Sequence, residues 1–209
     1  MKPIDTIKAE IINLSPEEFI SKYIKCPENW YFKNILQIPE DQIIKFGDQF
    51  KEIVANSFGL TIDNIEMVGS GKMGFSLAPY ERKLYKEFND DSSIRNISDL
   101  DIAIISRELF NKYWDLLRQS FKFKFKYMYP AIQEGIYRGY INEKYLTSIE
   151  GCRKDWNSIA TNSKKKLSSE LYIRHEVTYR IYRRWNDFHD YHISSINKIK
   201  KETPNAPSV

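Results

Sequence analysis

Val68-Gly69-Ser70-Gly71-Lys72 and Ser98-Asp99-Leu100-Asp101-Ile102-Ala103-Ile104-Ile105 are the stretches whose reading decides the fold. In the second, carboxylates alternate with apolar residues. Successive side chains of a strand point to opposite faces, so Asp99 and Asp101 share one face while Leu100 and Ile102 share the other. The first stretch is a glycine-serine turn that follows its own apolar run, Ile65-Glu66-Met67-Val68. Same-face aspartates close to such a turn are the parts that two-metal phosphoryl chemistry requires. The carboxylates hold Mg²⁺, and the backbone N–H groups of the turn hold phosphates.

Working outward, the spacing predicts a strand over 64–68, a strand over 100–105, and a helix capped by Ser106 that runs to about Ser120. Leu109, Tyr113, Leu116 and Leu117 form the stripe of that helix. Between the strands, Glu81 to Asn96 is polar, and Asn89-Asp90-Asp91-Ser92-Ser93 reads as an exposed loop. Upstream, Ser15-Pro16-Glu17-Glu18 is a capping box with proline at the first helical position, giving a helix over about 16–24 that Pro27 ends. Trp30, Tyr31 and Phe32 then dock this arm on the body. A second helix runs from Glu40-Asp41 to about Asn56 on Ile43, Ile44, Phe46, Phe50 and Ile53, with Gly47 against it and Gly59 as its stop.

Downstream, Phe121-Lys122-Phe123-Lys124-Phe125-Lys126-Tyr127-Met128-Tyr129 alternates with period two. As a strand it has an aromatic face and a largely basic one; as a helix it continues the element before it. Base stacking beside phosphate contacts is one use of the pattern, and core aromatics with solvated lysines is the other. Residues 131–149 read as mostly helical, and 150–167 as a helix that breaks into Lys164-Lys165-Lys166. The β-branched and aromatic run from Glu176 to Arg183 predicts a last strand, followed by an amphipathic helix from about Asn186 to Lys200 and a loose tail.

The 209 residues suffice for a buried core and divide into an N-terminal helical arm (1–60), a core (61–200) and a tail (201–209). The 42% apolar and 29% charged composition is that of an ordinary globular chain. No apolar run reaches membrane-helix length and no leader is expected, so a cytoplasmic location is expected and no membrane partner. Cys26 and Cys152 form no CxxC pair and read as reduced thiols. The net charge of +4 does not by itself argue for nucleic acid. Its distribution says more: Lys122, Lys124, Lys126, Lys164–Lys166, Arg180, Arg183 and Arg184 all lie after the aspartates, as a polyphosphate or RNA footprint or as a solvated face.

The order strand, Gly-Ser, helix, then Ser-Asp-x-Asp on a strand resembles the DNA polymerase beta-like nucleotidyltransferase superfamily, on Gly69, Ser70, Asp99 and Asp101. The longer context, GSGKMGFSLAP through SDLDIAIIS to RIYRRWNDFHDY, also looks like a group of uncharacterised bacterial nucleotidyltransferase-like proteins. The firm part covers roughly 64–106. The resemblance implies an α+β fold in which a small mixed sheet bears the site, with helices against one side. It implies that Gly69 and Ser70 contact the triphosphate and that Asp99 and Asp101 bind catalytic Mg²⁺ or Mn²⁺. By its position, Lys72 either neutralises phosphate charge or is a solvated lysine, and Arg180, with Arg183 and Arg184, reaches either the nucleotide or an acidic acceptor. The implied reaction moves a nucleoside monophosphate from an NTP to a hydroxyl of RNA, protein, a small molecule or another nucleotide. A bacterial defence or toxin–antitoxin setting goes with it.

Two departures stand out. Ser70 and Asp99 are farther apart than the family's usual spacing, so 78–97 is an insertion near the site. The family also places a third carboxylate on a later strand. Glu176 is the acid at the start of the last strand, and Glu170 and Asp187 flank it. Without a third acid at the metals, the alternative is a nucleotide- or RNA-binding module with the same fold, and an interaction protein is the third reading. His189 and His192 beside Asp187 and Asp190 suit a metal site or a polar helix face. Gly69-x-Gly71-x-x-Gly74 fits the dinucleotide fingerprint but lacks its downstream acid, and Gly71-Lys72 is no Walker A.

Overall fold

The computed structural model describes residues 4–79, 84–89 and 97–202. Its centre is a four-stranded mixed sheet of β1 (Ile65–Val68), β2 (Leu100–Ile105), β3 (Tyr140–Asn142) and β4 (Val177–Tyr182), in the order β1-β2-β4-β3. β2 pairs antiparallel with β1 and parallel with β4, and β3 closes the far edge antiparallel to β4. The helices are α1 (Ile4–Asn13), α2 (Pro16–Phe19), α3 (Trp30–Asn34), α4 (Ile43–Phe58), α5 (Gly69–Met73), α6 (Arg107–Gln119), α7 (Tyr129–Tyr137), α8 (Glu143–Ser148), α9 (Glu150–Leu171) and α10 (Trp185–Glu202). Among the described residues no helix is long and apolar enough to cross a membrane.

Local chemistry sets the element ends. Ser15 accepts from the Glu18 N–H while Glu18 reaches back to the Ser15 N–H, so α2 starts on a complete capping box and passes directly into a π-helical turn, Ile20–Ile24. The Ser106 hydroxyl accepts from the Leu109 N–H at 3.2 Å and starts α6. Gly59, at φ 68°, ends α4 in the left-handed conformation that costs glycine least.

The alternation of the strands decides which layer covers which face. Ile65, Met67, Leu100, Ile102, Ile104, Val177, Tyr179 and Ile181 belong to one core with Phe50 and Val54 of α4, Tyr113 of α6 and Trp156 of α9. Val68, Ala103, Ile105 and Tyr182 belong to a second core on the other face, closed by Ile7 and Ile11 of α1, Phe19 of α2, and Phe188, Ile196 and Ile199 of α10. Each large side chain so buried contributes about 1.5–3 kcal/mol, which is why both faces are covered.

Several expectations need correction. Helices cover both faces of the sheet rather than one side. The N-terminal residues dock over more of the body than Trp30, Tyr31 and Phe32: α4 helps fill the first core, and α1 and α2 help fill the second. The segment 121–129 forms no strand; Phe123–Met128 is a 3-10 helix leading into α7. The span 131–149 is interrupted by β3, whose three residues pair with β4 from Tyr140↔Tyr182 to Asn142↔Arg180. α9 does not break at the lysines. Lysine is a good helix former, and Ser163 and Leu167 on either side of the run face the core. Of the insertion at 78–97, residues 80–83 and 90–96 lie outside the described residues, as does the tail from 203 onward.

Candidate functional site

β1 delivers the chain into α5 at Gly69, directly beside β2, because Val68 is the register partner of Asp101. Gly69 has φ +69°, and a Cβ built there would lie 2.5 Å from Asp101 Oδ2. Only glycine satisfies both the left-handed backbone and the close approach of the carboxylate. The turn and the second aspartate of the motif therefore meet, and Ser70 follows half-buried as the second residue of α5.

Asp101 is half-buried, and its Oδ1 accepts a hydrogen bond from Thr178 Oγ1 at 3.1 Å across the parallel β2–β4 pair. Asp99 lies one residue before β2, exposed, and among the described residues its carboxylate has no hydrogen bond or ion pair. These two carboxylates are the groups that would hold a divalent ion. Asp99 offers both oxygens, whereas Asp101 already shares one with Thr178.

β4 lays Thr178 and Arg180 on the Asp101 face, opposite Asp101 and Ala103 respectively. The guanidinium carbon of Arg180 sits 4.7 Å from the Tyr191 ring centroid and 5.4 Å from that of Tyr140. One Arg180 nitrogen donates to Tyr182 Oη at 3.4 Å. Arg180 therefore stands on the same face as Asp101, although it makes no ion pair with it among the described residues.

The remaining candidates are not brought together with this face. Glu176 lies at the foot of β4, and its Oε1 accepts from Lys164 Nζ at 2.8 Å, which also contacts Glu143 at 3.3 Å. Lys72 is only 3% exposed, and its ammonium donates to the Cys26 carbonyl at 2.5 Å, fastening α5 to the N-terminal segment. Burial drives its pKa down, partly offset by Glu66. The charges it feels are those of Glu66, Cys26, Lys51 and Glu28. Asp187 is held by Arg183 and Arg184. His189 and His192 are not a solvated helix face, since both Nε2 atoms are buried.

Thr178 escaped the sequence reading, which looked for an acid on the last strand and not for any same-face donor. The signal was its parity with Arg180. Together these elements define an α+β protein with a carboxylate pair at the end of a central strand, a glycine turn pressed against one of the pair, and a buried guanidinium on the adjacent strand. No protein-family model matches the chain, and neither a curated protein nor a solved structure matches it.

Proposed function

We propose that this protein is a metal-dependent nucleotidyltransferase with a polymerase beta-like fold, acting on a nucleoside triphosphate. One observation carries the reading: Gly69 in the left-handed conformation with the Asp101 carboxylate packed against its Cα. Phosphoryl transfer is mainly positioning and charge neutralisation, so the turn that binds phosphate and the carboxylates that bind metal have to be neighbours. Asp99 and Asp101 would hold Mg²⁺ or Mn²⁺, which when bound neutralises phosphate charge and polarises the phosphoryl oxygens. Gly69 leaves room for phosphate at the backbone, Ser70 adds a hydroxyl donor, and Thr178 orients Asp101 through its hydrogen bond. The acceptor is a hydroxyl of RNA, protein, a small molecule or a nucleotide. A cytoplasmic location and a place in bacterial defence or toxin–antitoxin systems belong to the same reading.

A second reading is a nucleotide- or RNA-binding module that lacks turnover. It is favoured by Thr178 opposite Asp101, where no carboxylate stands, and by the pairing of Glu176 with Lys164. The Glu176 side chain is 69% exposed, and an ion pair of that kind is worth at most about 1 kcal/mol, so it does not lock the carboxylate away.

The test is incubation with each labelled NTP and Mg²⁺ or Mn²⁺, with and without total RNA and lysate. Label transfer or pyrophosphate release that disappears in Asp99→Ala/Asp101→Ala supports the enzyme. Metal-dependent NTP binding without release supports the module. Absence of NTP binding overturns both.

A further inference from the structure

The layer between β4 and α10 concentrates cationic and imidazole groups whose nitrogens lack partners. Among the described residues Arg180 has no ion pair, its Nε is buried with no hydrogen-bond partner, and its one hydrogen bond is the long contact to Tyr182. On α10, the Nε2 atoms of His189 and His192 are also buried without partners. The three groups are close enough to feel one another. Burial drives His192 down to about 3, and the charges of Arg180 and His189 push in the same direction. Burial also lowers His189, helped by Lys25, whose ammonium rests 4.7 Å from the Trp185 ring centroid. The acids within electrostatic reach are Asp190 beside His189 and Asp101 beside Arg180, and neither is bonded to these nitrogens.

A guanidinium cannot shed its proton to escape burial, and an uncompensated buried charge is costly. The Tyr140 and Tyr191 rings offset part of that cost by cation–π attraction, but they accept no hydrogen bond from Nε. An anion with several acceptor oxygens would match both the buried charge and the Nε donor. Arg180 and His192 are each partly exposed as residues, although the unpaired nitrogens themselves are buried, and Arg180 shares its sheet face with Asp101. A tetrahedral phosphate matches the guanidinium fork and has oxygens left for the imidazole N–H groups.

We propose that Arg180, with His189 and His192, forms an anion site for a phosphate group, on the sheet face shared with Asp101. The phosphate is one of the nucleotide's own, an assignment that rests on the function proposed above; anion binding itself rests only on the Arg180 cluster. Arg180 thereby supplies fixed positive charge from β4, the strand on which a third acid was sought.

The test uses pyrophosphate and inorganic phosphate without divalent cations. Binding is followed by calorimetry and by ¹⁵N NMR of the imidazoles, which is tractable in a chain with three histidines. The expected results are pyrophosphate binding, movement of the His189 and His192 signals with His175 still, at least tenfold weaker binding in Arg180→Met, and retention in Asp99→Ala/Asp101→Ala. Arg180→Met is also expected to melt no lower than the parent protein without ligand, because it removes a buried charge that is held by rings and one long hydrogen bond rather than by an ion pair. Should that variant fail to fold, His192→Phe carries the same comparison. Unmoved imidazole signals, or equal pyrophosphate affinity in Arg180→Met or His192→Phe, overturn the site. Pyrophosphate binding without metal-dependent NTP binding keeps the anion site and overturns the nucleotidyltransferase reading. Inorganic phosphate binding as tightly as both pyrophosphate and NTP keeps the site but overturns its assignment to a nucleotide.

Discussion

At the scale of single residues, Gly69 bears the sharpest constraint. Gly69→Ala puts a methyl group 2.5 Å from Asp101 Oδ2 and holds a non-glycine residue at φ +69°. The expected cost is about 1–3 kcal/mol, read from urea unfolding, with metal-dependent nucleotide binding weakened by displacement of Asp101. Asp187 supports the β4–α10 junction by a different physics. Burial pushes its carboxyl up, yet Arg183 and Arg184 together hold it below the usual carboxylate value. A folded-state pKa below the unfolded value of about 3.9 means that the contribution is complete above that pH and lost as pH falls through the folded value. Asp187→Asn is therefore expected to be less stable at neutral pH by about 1–3 kcal/mol, with the gap closing below about pH 4. Equal stability of the two proteins at pH 7 would refute this. The strand that carries Asp101 and the glycine turn after β1 were legible in the sequence because both depend on neighbours along the chain and on strand alternation. Lys72 was not, because its partner is a carbonyl 46 positions away and no local pattern encodes that contact.

At the scale of elements, capping and period-two signals were readable where one local rule dominated, as in α2, α4, α6, β1 and β2. β3 was hidden because three residues carry no usable periodicity; pairing with β4 creates it. The aromatic–lysine run, for which strand and helix were both open, is helical. Its alternation is real, but the segment has no strand to pair with, and Phe121 stacks on Tyr129 at 4.8 Å instead. α1 went unread although Ile4, Ile7 and Ile11 stand at helical spacing. α9 is anchored by Trp156, which meets the rings of Phe58, Tyr113 and Tyr179 and donates to Glu143 Oε1 at 3.0 Å. Glu143 also accepts from the Tyr179 N–H, so the indole ties α9, α8 and β4 together. Trp156→Ala is expected to cost about 3–5 kcal/mol in denaturant unfolding, since neither α4 nor β4 can close over the gap.

At the scale of the whole molecule, one sheet serves two cores, so the site face is stiffened from beneath by α4, α6 and α9 and framed from above by α1, α2 and α10. Lys200 of α10 donates to the Leu14 carbonyl at 2.6 Å, pinning the last helix to the first. Ile7→Ala and Ile11→Ala, both on the inner side of α1, are each expected to cost about 2–5 kcal/mol. Faster amide exchange should extend into α10; exchange confined to α1 would show that the two helices are not coupled. The Asp101–Thr178 hydrogen bond joins residues 77 positions apart across a parallel strand pair. That separation has a kinetic consequence. Parallel pairings of high sequence separation close late, after the entropy of a long loop has been overcome. On a growing chain, the Gly69 turn and Asp101 are synthesised long before β4 exists to complete their face. A nascent or truncated chain therefore carries Gly69 and Asp101 without Thr178 and Arg180, and the face is complete only with the last strand and the helix that follows it.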